Sequence, residues 1–339
     1  MYWDIDKILR YQRNFNFING PRSIGKSYTT QKKVIKKCIE NGVEFVYIVR
    51  TQDEKKKNIF EYALRKVLDN EFKDYVFEFD KENMFLESDS TKVQIGYCLA
   101  LSEYEKLKKR SFPYVKYIIF DEYNLESNSI SSYVKGWEEP NIFLNLYHTI
   151  DRDEDRVIAF LLGNNTSFYN PYHMNPAFNI PPTKPGEIYT SENVLFENAI
   201  KDNDLKQKNN TSKFLKMINN TDYADYAVQG NYMNDNTNLI ADSTKGFTKY
   251  VCTILCDGKK YGIYQSTLEQ LALISDKIDP YCKLVYSLDF ESHYETSFLV
   301  VKKPPFMLEY IGKMYSGGFL RFINMEVKMK TEKYIQRFL

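Results

Sequence analysis

Cysteine, histidine and tryptophan are scarce in this chain of 339 residues, which contains five, three and two of them. Only Cys252 and Cys256 lie close together, so the cysteines cannot form a disulfide framework and lack the partners of a zinc site. We expect reduced, buried thiols. A formal net charge of +1, from 46 basic and 45 acidic residues, excludes both a histone-like basic protein and an acidic disordered tail.

Long apolar stretches are also missing. The longest run, Val157–Leu162, is far shorter than the roughly 18 residues that span a bilayer. The first ten residues contain no apolar segment typical of a signal peptide. Hydrophobic residues nevertheless make up 43% of the chain, which is enough for a substantial core. We therefore expect a soluble, intracellular protein with no membrane partner, of a length that suits two domains.

Short apolar segments alternate with helical or polar stretches over the first two hundred residues. This pattern is typical of a mostly parallel α/β sheet with helices on its faces. A helix is expected over Ser27–Glu40, ended by Asn41-Gly42. Regular structure should lapse between 170 and 186, where five prolines occur. The predicted strands are Phe15–Asn19, Glu44–Val49, Lys92–Leu99, Val115–Phe120 and Val157–Leu162.

The second half of the chain has a different composition. We expect a polar, Asn-rich helical linker over 198–233, between a first domain at 1–197 and a second at 234–339. In the second domain Asp257-Gly258 predicts a tight hairpin, because these residues accept a positive φ. The chain ends in a Lys-rich helical stretch, and Val301–Leu339 holds eight basic and three acidic residues, a net charge of +5.

A phosphate-binding motif lies near the start of the chain. Residues 20 to 27 read Gly-Pro-Arg-Ser-Ile-Gly-Lys-Ser and satisfy G-x-x-x-x-G-K-[ST] between a predicted strand and a predicted helix. Gly20 and Gly25 allow the backbone to curl, so that several N–H groups and the positive helix end point at one place. Lys26 would contact the β- and γ-phosphates and Ser27 would bind Mg²⁺. ATP and Mg²⁺ are therefore the expected cofactors.

Two adjacent acids follow the predicted strand Val115–Phe120. Beside a P-loop, Asp121 would hold Mg²⁺, through Ser27 or a water, and Glu122 would polarise the attacking water. An Asp-Glu pair with strand material between the two motifs favours an ATPase of the additional-strand, catalytic-glutamate type over a small GTPase. At the tip of the next strand, Asn164 would sense the γ-phosphate, with a simple Asn turn as the alternative.

A run of charged residues occupies 151–156. Such a run is usually a solvated face. An arginine at a subunit edge could also enter the active site of a neighbouring subunit as an arginine finger, which is worth roughly 10³–10⁵ in rate.

Together these residues resemble the DNA-packaging ATPases, or encapsidation proteins, of phi-29-like phages, which are small relatives of large terminases. The resemblance rests on GPRSIGKS, on YIIFDEY at Tyr117–Tyr123, on NLYHTIDRDEDRV at Asn145–Val157 followed by LLGN and NPY, and on GGFLRF at Gly317–Phe322. It implies a homomeric ring, a pentamer, on the portal vertex of a procapsid in the host cytoplasm. ATP hydrolysis would drive double-stranded DNA inward.

For the P-loop and the two acids, the resemblance implies the roles already given. It places the trans-acting finger at Arg152 and leaves Arg156 as an alternative. It adds two arginines near the nucleotide: Arg22, inside the P-loop, and Arg50, at the end of the second strand.

For the C-terminal domain, the resemblance implies a smaller α+β fold of the ribonuclease-H type, related to terminase nucleases. A two-metal nuclease needs several carboxylates around ions about 4 Å apart. Here the candidates, Asp257, Asp289 and Glu291, form a sparse set. The resemblance implies a vestigial nuclease that has lost its activity, and no carboxylate cluster in the sequence contradicts this expectation.

DNA contacts need little sequence information, because a packaging motor must grip any sequence and contacts to phosphate suffice. The candidates in loops expected to face the channel are Lys106, Lys108, Lys109 and Lys135, and Lys56 belongs to a further basic patch. The C-terminal segment of charge +5 could bind DNA, a structural RNA or the portal, and these three stay open.

Two other functions stay open. A complete terminase would also cleave DNA, in a metal-dependent reaction that Asp289→Ala abolishes. A P-loop nucleotide switch without motor activity would turn ATP over slowly, would not respond to DNA and would not need to oligomerise.

Overall fold

A computed structural model describes residues 2–56, 58–88, 91–125, 132–201, 217, 239–301 and 303–338. The chain divides into two compact units, Met1–Asn234 and Asp235–Leu339. The linker predicted at 198–233 lies outside the described residues, apart from its first four residues and Met217. Within the described ranges, no helix has the length and apolar character needed to cross a bilayer.

The first unit is built on one large sheet. Its strands are β1 (Phe15–Gly20), β2 (Glu44–Val49), β3 (Val76–Phe79), β4 (Asn83–Ser88), β5 (Thr91–Ala100), β6 (Val115–Asp121), β7 (Ile158–Asn164), β8 (Ile188–Thr190) and β9 (Val194–Asn198). Their order is β3-β4-β5-β2-β6-β7-β1-β9-β8. The six central strands, β5, β2, β6, β7, β1 and β9, are parallel to one another. At the edges, β3 and β4 on one side and β8 on the other pair antiparallel with their neighbours.

The order of the central strands identifies the subclass of the fold. β7 lies between β1, which leads into the P-loop, and β6, which ends at the two acids. This is the additional strand that the sequence predicted, and the predicted fold class of this unit is confirmed.

Helices cover both faces of the sheet. They are α1 (Ile5–Leu9), α2 (Lys26–Asn41), α3 (Gln52–Lys56), α4 (Ile59–Glu71), α5 (Tyr104–Leu107) and α6 (Glu139–Asp151). Successive strand residues face opposite cores, so Phe17 packs in one core and Ile18 in the other. Each such fully buried side chain contributes about 1.5–3 kcal/mol. Burial on both faces explains why β2 and most of β6 consist of apolar residues.

The second unit has its own sheet and core. Its strands are β10 (Phe247–Cys256), β11 (Lys259–Ser266), β12 (Ala272–Ser275), β13 (Val285–Ser287), β14 (Phe298–Leu299) and β15 (Leu320–Phe322), and its helices are α7 (Phe306–Ser316) and α8 (Met325–Ile335). The order is β14-β13-β10-β11-β12-β15. β10, β11 and β12 are antiparallel, and β13 and β14 continue parallel to β10 on its other side. This is the arrangement of ribonuclease-H-like sheets.

Candidate nucleotide-binding and catalytic site

The P-loop closes around a cavity at the carboxyl edge of the parallel strands. α2 begins at Lys26, and the preceding Gly25 has a φ of +94°, which strains any residue with a side chain. Because Gly25 has no side chain to cap α2, the first N–H groups of this helix are available to an anion. The cavity measures about 310 Å³ and is lined by Arg22, Ser23, Ile24, Gly25, Lys26, Ser27, Tyr28, Asp121, Glu122, Gly163 and Asn164.

Gly20 does not line the cavity but packs against β9. A Cβ added to Gly20 would lie 2.9 Å from the carbonyl oxygen of Ala199, so the P-loop can approach β9 only with glycine here. The contribution of Gly20 is its carbonyl oxygen, which accepts a hydrogen bond from Lys26 Nζ at 2.9 Å.

Lys26 is buried, with 7% of its surface exposed. Its ammonium also donates to the carbonyl oxygen of Pro21 at 2.9 Å. Desolvation lowers the pKa of Lys26 to about 7; the nearby Asp121 carboxylate opposes this shift, and the Lys201 and Arg22 cations add to it. An anionic ligand would stabilise this buried ammonium, because its hydrogen-bond acceptors here are two neutral carbonyl groups.

Ser27 and Asp121 meet across the cavity, although 94 positions separate them in the sequence. The Ser27 hydroxyl donates to Asp121 Oδ1 at 3.0 Å. Desolvation raises the pKa of Asp121 to about 6, against the opposing effect of the Ser27 hydrogen bond. A hydroxyl and a carboxylate at this distance are the hard oxygen donors that Mg²⁺ prefers, so the pair fits this ion.

Glu122 turns its side chain into solvent at the rim of the cavity. It has a φ of +59°, uncommon for a residue other than glycine, and its N–H donates to Asp121 Oδ1 at 3.1 Å. Left-handed backbone at this position turns the chain sharply as β6 ends. The two adjacent acids therefore occupy different environments, one desolvated and one exposed.

Arg50 requires a correction, because the structure does not place it at the cavity. Its guanidinium is buried: Nε lies 3.1 Å from Glu139 Oε1, Nη1 donates to the carbonyl oxygen of Glu122 at 2.7 Å, and Nη2 donates to that of Tyr123 at 2.5 Å. The aromatic rings of Phe120 and Tyr133 lie about it, 5.0 and 5.1 Å from the guanidinium carbon. Arg50 thus holds the backbone of the turn formed by Glu122 and Tyr123, called the catalytic turn because Glu122 is the predicted base, and it does not line the cavity.

A hydrogen-bonded chain lies behind the same turn. The Tyr123 hydroxyl is 2.7 Å from Asn19 Oδ1 and 2.6 Å from His173 Nε2. His173 Nδ1 lies 2.8 Å from the carbonyl oxygen of Phe168, to which it must donate, so Nε2 is an acceptor. Burial lowers the pKa of His173 to about 3, and the ring is neutral. These contacts tie the catalytic turn to β1 and to the loop after β7.

Asn164 ends β7 directly beside the P-loop. It pairs with Gly20 in the parallel register of β1 and β7, and it lines the cavity. Its carbonyl oxygen accepts a hydrogen bond from Asn124 Nδ2 at 3.2 Å. Asn164 therefore lines the cavity beside the P-loop, and its role as a sensor of the γ-phosphate stays a prediction.

The two candidate finger arginines differ sharply in their surroundings. The Arg156 guanidinium donates to the carbonyl oxygens of Val115, Phe112 and Ile150, and to the Glu154 carboxylate at 2.7 Å. Arg152 follows α6 with a φ of +56° and is exposed. Arg156 is therefore engaged in hydrogen bonds within its own chain, and Arg152 is the better candidate for the arginine finger.

The predicted DNA-binding lysines converge at one edge of the sheet, although the expectation of a loop is wrong for Lys106, which is in α5, and Lys56 of the further basic patch is in α3. Lys108 and Lys135 both lie over the ring of Tyr104, at 5.1 and 5.5 Å from its centre. Lys106 pairs with Glu103, which also binds Lys55, the neighbour of exposed Lys56. Lys109 is exposed in the same segment. α3 and α5 follow β2 and β5, neighbouring strands of the sheet, which explains the convergence.

Lys201, three residues after the end of β9, is a further cation near the P-loop that was not predicted from the sequence. Only 5% of its surface is exposed, and no hydrogen bond or ion pair reaches its ammonium from the residues that the structure describes. Burial lowers its pKa. The sequence does show a lysine after an apolar segment. That this segment, β9, lies beside β1 and so brings the lysine to the P-loop is seen only in the fold.

In the second unit, the candidate nuclease carboxylates are engaged in other contacts. Asp257 accepts a hydrogen bond from the Tyr334 hydroxyl at 2.6 Å and pairs with Lys333 at 3.1 Å. Asp289 accepts from the N–H groups of Asp257 and Ser292. No group of three acidic, histidine or cysteine side chains placed to hold a metal occurs among the described residues.

The fold and the cavity together define a P-loop ATPase of the additional-strand, catalytic-glutamate type. Within that class, the family model described as Podovirus DNA encapsidation protein (Gp16) matches residues 1–338, and the chain belongs to this family.

Two of the proteins that the chain resembles cover nearly its whole length. The DNA packaging protein of Bacillus phage phi29 is 28% identical over 333 residues, which are 97% of this chain and 95% of the relative. A structure of the bacteriophage Phi-29 viral genome packaging motor assembly matches with a TM-score of 0.73 and 25% identity, over 100% of this chain and 99% of that one. A crystal structure of the N-terminal domain of the DNA packaging ATPase from bacteriophage phi29 matches with a TM-score of 0.50 and 29% identity, over 58% of this chain and 95% of that one.

Proposed function

We propose that this protein is the ATP-hydrolysing subunit of a homomeric ring, a pentamer, which drives double-stranded DNA into a procapsid. It would act in the host cytoplasm, at the portal vertex. One observation carries the enzymatic part: Ser27 and Asp121 meet at 3.0 Å in a cavity that also holds Lys26 and Glu122. The packaging part rests on the family and on the relatives' names.

The phosphates of ATP would lie between the N-terminus of α2 and Lys26. Lys26 would exchange its hydrogen bonds to the P-loop carbonyls for phosphate oxygens, and Arg22 and Lys201 would add positive charge nearby. Ser27 and Asp121 would hold Mg²⁺, which neutralises phosphate charge when bound. Phosphate binding would also reduce the electrostatic repulsion among the cations of Lys26, Arg22 and Lys201.

Glu122 is the residue placed to activate water. A water oxygen would form a bond to the γ-phosphorus while the bond to the β–γ bridging oxygen breaks and ADP leaves. The exposed Glu122 carboxylate would orient this water and accept its proton. Asn164, from the neighbouring strand tip, would contact the γ-phosphate and report its departure.

Arg152 would act on the active site of a neighbouring subunit. The loop that carries it is rigid, because the Asp151 carboxylate accepts from the N–H groups of Asp155, Arg156 and Val157 at 2.9–3.1 Å. A rigid loop that presents one exposed arginine suits a group that must stabilise transition-state charge in trans.

The lysines at the carboxyl edge of β2 and β5 would grip DNA phosphates. They are Lys56, Lys106, Lys108, Lys109 and Lys135. The helical C-terminal segment of charge +5 would bind DNA, a structural RNA or the portal.

ATPase activity, measured with and without double-stranded DNA alongside particle mass in the same buffer, tests this proposal. We expect oligomers whose turnover rises with DNA and falls again with salt, because phosphate contacts release counterions. The triple change of Lys106, Lys108 and Lys135 to Gln should remove the stimulation, whereas a control change of exposed Lys36 and Lys66 to Gln should not. Slow turnover by a monomer that ignores DNA would contradict the motor and indicate a nucleotide switch.

A further inference from the structure

Two tyrosine rings stand at the rim of the nucleotide cavity. Tyr28 lines the cavity directly after Ser27. The Tyr2 ring lies 5.8 Å from it, centre to centre, with the planes inclined by 30°. Tyr2 also covers Gly25, since a Cβ at that position would be 2.7 Å from Tyr2 Cδ1. Nevertheless 60% of the Tyr2 surface is exposed.

Polar contacts hold the segment that carries Tyr2, through its neighbour Trp3, and the hydroxyl of Tyr28, away from the ring faces. The Trp3 N–H donates to the carbonyl oxygen of Ile24 at 2.8 Å, and Trp3 Nε1 donates to Glu197 at 2.6 Å, which fixes the segment carrying Tyr2. The Tyr28 hydroxyl donates to Glu71 Oε1 at 2.6 Å. An aromatic surface that is anchored but still open to solvent is typical of a stacking platform.

The position of this pair matches the course of a bound nucleotide. With the phosphates at Lys26 and the N-terminus of α2, the remainder of the molecule must leave the cavity past its open rim. Tyr28 is two residues beyond Lys26 and shares the cavity wall with it. Tyr2 and Tyr28 already contact each other at 5.8 Å, so a third ring would extend the stack and would not enter between them.

We infer that Tyr2 and Tyr28 form the base subsite, on which the nucleobase of ATP stacks. This inference rests on the proposed function, because it requires the phosphates at the P-loop. Stacking accepts any base, so the pair adds affinity without selecting between purines. ATP and GTP should depend on it equally.

Binding of two probes to the full chain, measured by isothermal titration calorimetry, tests the inference. The probes are Mg-ATP, which has a base, and Mg-tripolyphosphate, which has only the phosphates. The variants are Tyr2→Ala and Tyr28→Ala. Tyr62→Ala, at an exposed tyrosine of α4, is the matched control for loss of a surface ring. Thermal melting of each variant checks that it is folded.

We expect Tyr2→Ala and Tyr28→Ala each to lower the affinity for Mg-ATP roughly tenfold and to leave the affinity for Mg-tripolyphosphate unchanged. The Tyr62→Ala control should bind both probes like the wild type. Unchanged ATP affinity in both variants would overturn the inference. An equal loss for both probes would also overturn it, because the rings would then support the P-loop and not the base. Failure of the unaltered chain to bind either probe would instead refute the proposed function, and the inference with it.

Discussion

Arg50→Lys separates positioning of the catalytic turn from contact with the nucleotide. The lysine keeps a cation beside Glu139, but it lacks the planar fork that reaches the carbonyl oxygens of Glu122 and Tyr123. An acceptor left without its donor costs about 1–3 kcal/mol when buried and less when partly exposed. Loss of the ring contacts with Phe120 and Tyr133 adds about 1 kcal/mol. We therefore expect a loss of about 2–5 kcal/mol in the free energy of unfolding.

The same change should affect catalysis more than binding. A catalytic turn displaced by about 1 Å costs up to 10²-fold in rate, so kcat should fall at least tenfold while the Kd for ATP stays within about twofold. Urea unfolding, steady-state ATPase assays and equilibrium binding provide the three measurements. Glu139→Gln is the companion variant, because it weakens the charge pair without touching the fork. A tenfold rise in Kd at unchanged kcat would refute the reasoning and restore Arg50 to the nucleotide.

Three further predictions concern other residues. Lys201→Met should lower the affinity for Mg-ATP roughly tenfold yet leave the ligand-free melting temperature equal or higher, because it removes a buried charge that has no partner among the described residues; an unchanged Kd would contradict this. The folded pKa of His173, about 3, lies below the unfolded value of about 6.5. The unfolded chain therefore binds the extra proton, and stability should fall by about 2 kcal/mol between pH 8 and pH 5. Urea unfolding of His173→Gln should lack this component. Inactive Arg152→Ala and inactive Glu122→Gln proteins should partly restore ATPase activity when mixed, and no recovery at any ratio would count against a finger acting between subunits.

Local sequence patterns predicted the elements that surround the cavity. The strands β1, β2 and β6 are largely buried and appear within a residue of their predicted bounds. Gly42, with a φ of +62°, ends α2 as expected. Asp257 and Gly258, at +47° and +72°, form the predicted hairpin turn. These features depend on a few neighbouring residues, so they can be predicted from the local sequence.

Features that depend on distant partners were not visible in the sequence. The position of Arg50 at a strand end was correct, but its partner Glu139 lies 89 residues away, and that pairing decides its role. Lys201 and Tyr2 reach the P-loop only because β9 lies beside β1 and because Trp3 binds Ile24. The short edge strand β8, the short interior strand β12 and the hairpin of β3 and β4 were also missed, since strands of three to six residues leave a weak periodicity.

The central claim is that Glu122 activates water against a triphosphate held by Lys26, Ser27 and Asp121. Its most direct test is single-turnover hydrolysis of radiolabelled ATP by Glu122→Gln, with binding measured on the same sample. We expect near-normal ATP binding with phosphate release at least a hundredfold slower, because an amide cannot accept the proton. Release of phosphate at the unaltered rate would show that a different group is the base.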